Sequence, residues 1–194
     1  MMEILNNKTI GFALTGSFCT LSQIMPQVER LVQAGANVIP VLSETVSSTD
    51  TRFGSAEEWR KRLESITGKT PLVGVKETEP FGPKGVLDLL IVAPCTGNTL
   101  GKLANGITDT GVTMAVKAHL RNERPVVLAV STNDGLGGAA KNIGALLNMK
   151  QIYFVPFGQD DPETKPRSLV AKMDLILEAA ALALNGIQIQ PICK

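Results

Sequence analysis

The sequence predicts an α/β fold, a doubly wound and mostly parallel sheet with helices on both faces, and two observations carry that reading. Apolar runs of strand length recur at Thr9 to Leu14, Val38 to Leu42, Leu87 to Ala93, Pro125 to Val130 and Ile152 to Val155, and continuous runs of this kind suit strands buried on both sides. Segments with helical patterning lie between them. Parallel strands need crossover connections, and the right-handed crossover places helices on both faces of the sheet. Ligands of such a sheet bind beyond the carboxyl ends of its strands.

Taken in order, the first run is followed by Ile24, Val28, Leu31 and Val32 at helical spacing. After the second run, Ser55-Ala56-Glu57-Glu58 has the form of a capping box and opens a helix through Trp59 and Leu63. The run Pro125 to Val130 leads to Gly135-Leu136-Gly137-Gly138, whose spacing fits no phosphate fingerprint and reads as a flexible connection. A polar, Pro-containing stretch from Phe157 to Arg167 reads as a surface loop, and the last helix is expected from Ser168 to about Leu184.

Composition narrows the class. A chain of 194 residues buries roughly 70% of its unfolded surface and holds a sizeable core without disulfides or metal. Residues 1–194 read as one domain, with no repeat or linker. Lys and Arg number 19 against 18 Asp and Glu, so the overall balance points to neither nucleic acid nor a membrane surface. Cys19, Cys95 and Cys193 are widely spaced, odd in number and without a C-x-x-C pair, which argues against a disulfide framework and a structural zinc site. A cytoplasmic protein is expected, since the first residues lack a basic segment followed by a long apolar stretch and no run of about 18 apolar residues occurs.

The loops after the strands carry the ligand chemistry. Thr15-Gly16-Ser17-Phe18-Cys19-Thr20 places a glycine and small hydroxyl residues where backbone amides and a helix N-terminus can hold a phosphate. Neither G-x-G-x-x-G nor G-x-x-x-x-G-K-[ST] occurs, so a mononucleotide fits better than a dinucleotide or a P-loop ligand. Ser43-Glu44-Thr45 and Thr96-Gly97-Asn98-Thr99 add hydroxyl and amide donors on the same edge. Such residues also terminate strands and cap helices everywhere; their concentration in these loops favours a phosphate-bearing ligand.

The segment Ala93 to Asp109 resembles the homo-oligomeric flavin-containing cysteine decarboxylases, in which a P-x-S-A-N-T-x-x-K-x-A-x-G-I-x-D pattern surrounds FMN and substrate. Pro94, Asn98, Thr99, Lys102, Ala104, Gly106, Ile107 and Asp109 match it. The second signature of that family, P-x-M-N, is echoed only as Val130-Ser131-Thr132-Asn133. The catalytic histidine of the decarboxylases has no counterpart, because the only histidine, His119, lies downstream in a basic helical stretch and reads as a surface residue. Their late reactive cysteine is also missing, and Cys95 reads as packing.

The B-subunit family of dipicolinate synthases is similar over nearly the whole chain, including Gly11 to Ser17, Thr49-Asp50-Thr51-Arg52-Phe53-Gly54, Gly82-Pro83-Lys84, Pro125 to Asp134 and Tyr153 to Pro162. This resemblance implies a Rossmann-like, flavodoxin-like sheet, with FMN contacts from Thr15, Gly16, Ser17, Ser43, Thr96, Asn98, Thr99 and Ser131. It implies a partner, the A subunit of dipicolinate synthase, carrying NAD(P), and oxidation of a dihydro- or hydroxytetrahydrodipicolinate to dipicolinate in the mother cell of a sporulating bacterium. A homo-oligomer, trimer or dodecamer, is implied as well. A dicarboxylate substrate needs cationic or dipolar partners, since burying unpaired carboxylates is unfavourable by several kcal/mol each. Arg52, Lys84, Lys102, Arg167, Asn98 and Asn133 are the candidates. Asn98 alternatively caps a helix. Competing readings are a free-standing FMN enzyme, either a flavin prenyltransferase, whose long C-terminal helix after a Pro-Arg segment is similar, or a decarboxylase, and a non-catalytic partner of the A subunit. No metal is expected, and the sequence leaves the catalytic residues open.

Overall fold

The computed structural model describes residues 2–194. In chain order the elements are β1 (Thr9–Leu14), α1 (Leu21–Gln33), β2 (Asn37–Leu42), α2 (Glu44–Ser48), α3 (Ala56–Thr67), β3 (Leu72–Val73), α4 (Val75–Thr78), α5 (Phe81–Lys84), β4 (Leu89–Cys95), α6 (Gly97–Ala104), α7 (Gly111–Leu120), β5 (Val126–Thr132), α8 (Ala140–Leu147), β6 (Ile152–Phe154), β7 (Phe157–Gly158), β8 (Leu169–Ala171) and α9 (Ile176–Ala183). The five expected strands are β1, β2, β4, β5 and β6, and they pair in parallel.

The sheet runs β3-β2-β1-β4-β5, with β6 alongside the first half of β5 and β8 alongside its end. Leaving aside the two-residue β3, the parallel strands follow the flavodoxin order, in which the winding reverses between the first strand and its neighbour. Here that switch point lies between β1 and β4. Every residue of β4 is buried, as expected for a strand covered on both faces. Helices α1, α3 and α9 pack together over one face, and α4 to α8 form the other layer. Helix α1 shows why: Leu21, Ile24, Met25, Val28 and Leu31 make one buried stripe.

Local signals set the ends of α3. Ser55 accepts the Glu58 N–H while the Glu58 carboxylate accepts the Ser55 N–H at 2.6 Å, and Gly68 ends the helix with φ +67°, a left-handed conformation that glycine adopts without strain.

The C-terminal quarter departs from expectation. Leu169–Ala171 is a strand, paired antiparallel with Ser131 and Thr132 of β5 and with β7, and the helix begins only at Ile176. Strand β6 stops at Phe154, so the end of β5 would otherwise present unpaired backbone groups beside the crevice; β8 supplies their partners. Arg167 therefore precedes a strand and begins no helix, and the long helix that resembled the prenyltransferases is absent. Phe157–Gly158, expected in the loop, is β7, flanked by the last residues through Phe157 N–H to Ile192 O at 2.9 Å.

The glycine segment after β5 is also pinned. The Asp134 carboxylate accepts the Gly138 N–H at 2.8 Å, Leu136 N–H bonds Arg167 O at 2.9 Å, and Gly135 lies against Leu169. This is an Asp-closed turn, held by hydrogen bonds from both sides, and it replaces the flexible connection expected from its glycines.

Candidate functional site

The carboxyl ends of β1 and β4 are tied together by one side chain. Thr15 is buried; its hydroxyl donates to Pro94 O at 2.6 Å and accepts the Thr96 N–H at 3.0 Å. The proton and one acceptor position of that hydroxyl thus go to the protein, and Thr15 lines neither of the cavities described below. Thr15 sets the spacing of the two loops that flank the switch point.

Beyond Thr15 the chain opens a crevice of about 1450 Å³. Its floor is neutral and polar. The Ser17 and Ser131 hydroxyls, from the loop after β1 and the end of β5, lie 2.7 Å apart. Gly16 faces Thr45, whose methyl would lie 3.3 Å from an added Cβ. Gly97 starts α6 hard against β5, where an added Cβ would come within 2.7 Å of the Thr132 hydroxyl. The first amides of a helix have no intrahelical acceptor, so the start of α6 presents Gly97 and Asn98 N–H groups to the crevice edge.

Thr96 caps α6, its hydroxyl accepting the Thr99 N–H at 3.3 Å and lying 3.0 Å from the Thr99 hydroxyl. Asn98, the alternative cap, is instead an exposed residue two positions inside the boundary. Its amide is free to face a ligand. A second cavity of about 440 Å³ adjoins the first, and Gly16, Thr96 and Asn98 border both. Ser43 borders the smaller one while capping α2 through the Val46 N–H.

Charges are placed around this polar floor. Lys102 lines the smaller cavity and holds Asp109 with both carboxylate oxygens at 2.8 and 3.0 Å; that hydrogen bond keeps the Asp109 carboxyl below its ordinary range. Glu44, at the start of α2, accepts the Gly111 N–H at 2.9 Å and so links α2 to α7. Asn133, Asp134, Asp160, Lys165, Lys172 and Asp174 border the larger crevice. The Ser168 hydroxyl is the main cause that keeps the Asp160 carboxyl below its ordinary range.

The structure thus gathers Gly16, Ser17, Ser43, Thr96, Asn98, Thr99, Ser131, Lys102 and Asn133 around adjoining cavities. Two of the proposed cations lie elsewhere. Lys84 ends α5 next to Gly85, whose carbonyl accepts from Arg124, just before β5 begins; this is the amino edge of the sheet, opposite the crevice. Arg167 is exposed beside Gly137, outside the lining. Arg52 is likewise exposed and outside the lining, but it stands at a hairpin tip whose neighbour Phe53 lines the crevice.

His119 is the other correction. It is 1% exposed, not a surface residue, and its Nε2 donates to Pro125 O at 3.0 Å. Burial pushes its pKa down to about 4, against the opposing pull of that hydrogen bond. The ring is neutral, structural and away from the crevice. Cys95 is fully buried in β4, as its packing role requires, and burial drives its thiol pKa up. Sequence reasoning gave no role to Glu44 or to Asp160, Lys165, Lys172 and Asp174 of the crevice rim; the only available signal was that Glu44 sits within a hydroxyl-rich strand end.

Comparison with known proteins shows the family and the fold. The Flavoprotein family model matches residues 2–167. The B subunit of dipicolinate synthase from Bacillus subtilis (strain 168) is 51% identical over 191 residues, covering 98% of this chain and 96% of that protein. The crystal structure of the dipicolinate synthase B subunit from Bacillus halodurans superposes with a TM-score of 0.90 at 48% identity, over 98% of this chain and 97% of that one. A more distant structure, Burkholderia xenovorans DmrB in complex with FMN, shares the fold at 17% identity and a TM-score of 0.66, over 89% of this chain and 93% of that one. Among the described residues, no helix is long and apolar enough to cross a membrane.

Proposed function

We propose, since the chain belongs to the flavoprotein family and within it to the B subunits of dipicolinate synthase, that it binds FMN in the crevice and acts with an NAD(P)-dependent A subunit to oxidise a dihydro- or hydroxytetrahydrodipicolinate to dipicolinate. The observation that carries this reading is the neutral, donor-rich floor at the switch point, formed by Gly16, the Ser17–Ser131 hydroxyl pair and the start of α6.

That floor suits a mononucleotide phosphate. Gly16 has no side chain to block the approach, the two serine hydroxyls can each turn a proton toward an oxyanion, and the first-turn amides of α6 add donors with a favourable helix dipole. Both acids and lysines line the rim, so hydroxyls and amides, rather than a cationic cluster, would hold the phosphate. Asn98, with a donor and an acceptor on one amide, would meet a ring edge at the border of the two cavities. Bound FMN would supply a two-electron acceptor for aromatisation of the reduced pyridine, with NADP on the A subunit as the final acceptor.

The substrate would be held by Asn98, Asn133, Lys102 and Arg52. In the smaller cavity a substrate carboxylate would compete with Asp109 for Lys102, exchanging one partly exposed ion pair for another. Thr15 holds the loops at working distance without touching either ligand. The whole chain is taken as one domain, assembled as a homo-oligomer in the mother-cell cytoplasm. Reconstitution tests the reading: dipicolinate formation, followed by its ultraviolet absorbance, is expected only when this chain, the A subunit, NADP and the reduced dicarboxylate are all present, and is expected to fall when FMN is stripped. Full dipicolinate formation by the A subunit without this chain would refute it.

A further inference from the structure

We propose that the Arg52–Phe53 tip of the hairpin after α2 is the specificity element of the crevice, recognising a planar ring that bears a carboxylate. Phe53 would lie against the ring face and Arg52 would pair with the carboxylate. This rests on the reading of the site given above and goes beyond it by naming what selects the substrate.

The hairpin is held firmly at its base. Thr51 and Gly54 exchange N–H···O hydrogen bonds, both at 3.1 Å, and the Thr51 hydroxyl accepts the Phe53 N–H at 3.2 Å. Asp50 accepts the Ala56 N–H at 2.9 Å, which joins the hairpin to the capping box of α3. Gly54, at φ +140°, lies against the indole of Trp59, where an added Cβ would sit 3.0 Å from two ring carbons. Glycine is required there on both counts. Trp59 is 6% exposed, and its Nε1 has no hydrogen-bond partner among the described residues. The indole is therefore placed by packing under the hairpin rather than by a polar contact.

What this base supports is a phenylalanine 43% exposed that lines the crevice. The Arg52 guanidinium lies over the Phe53 ring, its Cζ 4.8 Å from the centroid. Stacking orients the guanidinium and restricts its rotamers, so a carboxylate can be bound with less loss of entropy. The flavin ring is planar but carries no carboxylate, whereas a pyridine dicarboxylate presents both features together. Lys165 and Lys172 border the same crevice and supply charge for a second carboxylate.

The test uses the full chain loaded with FMN and two probes, dipicolinate and the flexible heptanedioate, followed by calorimetry and by fluorescence of Trp59, the only tryptophan. Wild type is expected to prefer dipicolinate. Phe53→Leu keeps an apolar side chain but loses the flat ring, and should weaken dipicolinate about fivefold while leaving heptanedioate within about twofold. Arg52→Gln should weaken both probes about tenfold, with Arg52→Lys intermediate. FMN affinity should be unchanged in all. Equal losses for the two probes in Phe53→Leu, a fall in FMN affinity instead, or no dipicolinate binding by FMN-loaded wild type would overturn the proposal. A wild-type chain that takes no FMN would count against the proposed function, and dipicolinate titration of that flavin-free chain would still read the hairpin.

Discussion

Replacing Thr15 with valine separates scaffold from ligand contact at the centre of the site. The substitution keeps the β-branched shape and removes a buried hydroxyl that donates to Pro94 O at 2.6 Å and accepts the Thr96 N–H at 3.0 Å. Pro94 O retains the Thr15 N–H at 3.3 Å, so its loss is partial. The Thr96 N–H is left without its acceptor beside a methyl group. One lost hydrogen bond of about 1 kcal/mol plus an unsatisfied donor of about 1–3 kcal/mol gives a destabilisation of about 2–4 kcal/mol. For a chain of 194 residues that lowers the melting temperature by about 4–16 °C. Chemical denaturation should show the same loss at an unchanged slope. Thr15→Ser, which restores the hydroxyl, should recover most of it. FMN affinity measured well below the transition should fall only slightly. A Thr15→Val protein of wild-type stability that no longer binds FMN would refute the reasoning, because the hydroxyl would then serve the ligand rather than the loops.

Other consequences follow from individual contacts. His119 has a folded-state pKa of about 4, below its unfolded value of 6.5, so the unfolded chain binds the extra proton. The resulting stability is full above pH 6.5 and is lost as pH falls from there through about 4, by about 3 kcal/mol in all; His119→Gln should flatten that part of the stability–pH curve in denaturant titrations. Gly97→Ala forces a methyl within 2.7 Å of the Thr132 hydroxyl and should destabilise by about 1–3 kcal/mol, with a matching drop in FMN affinity as α6 is pushed from β5. An Ellman titration of the native protein should count Cys19 and Cys193, which are exposed, and miss buried Cys95 until the chain is unfolded.

Much of the fold was legible because long apolar runs and 3.6-residue stripes are set by burial, and burial follows the sequence directly. Leu89–Cys95 and Leu21–Gln33 are such cases. The Ser55–Glu58 box was legible for a different reason, since its hydrogen bonds are made within one turn. Leu169–Ala171 was not, because three alternating residues carry little periodicity and their strand state depends on an edge of β5 far away in sequence. The site shows the same division. Gly16, Ser17 and Asn98 could be placed from strand ends alone, whereas the hydrogen bonds of Thr15 and the burial of His119 could not, because their partners, Pro94 with Thr96 and Pro125, become neighbours or acceptors only through tertiary packing. Lys84 was placed with the site from a shared segment, but α5 leads into β4 from the opposite edge.

The most direct test of the central claim is an FMN titration of the purified chain followed by flavin fluorescence and visible absorbance, with the Ser17→Ala/Ser131→Ala double variant beside it. The account predicts saturable binding to wild type with a shifted flavin spectrum, and an affinity at least about tenfold weaker in the variant, which lacks two hydroxyl donors to a charged phosphate. A wild-type chain that leaves the flavin spectrum and fluorescence unchanged would contradict it, as would a double variant that binds FMN as tightly as wild type.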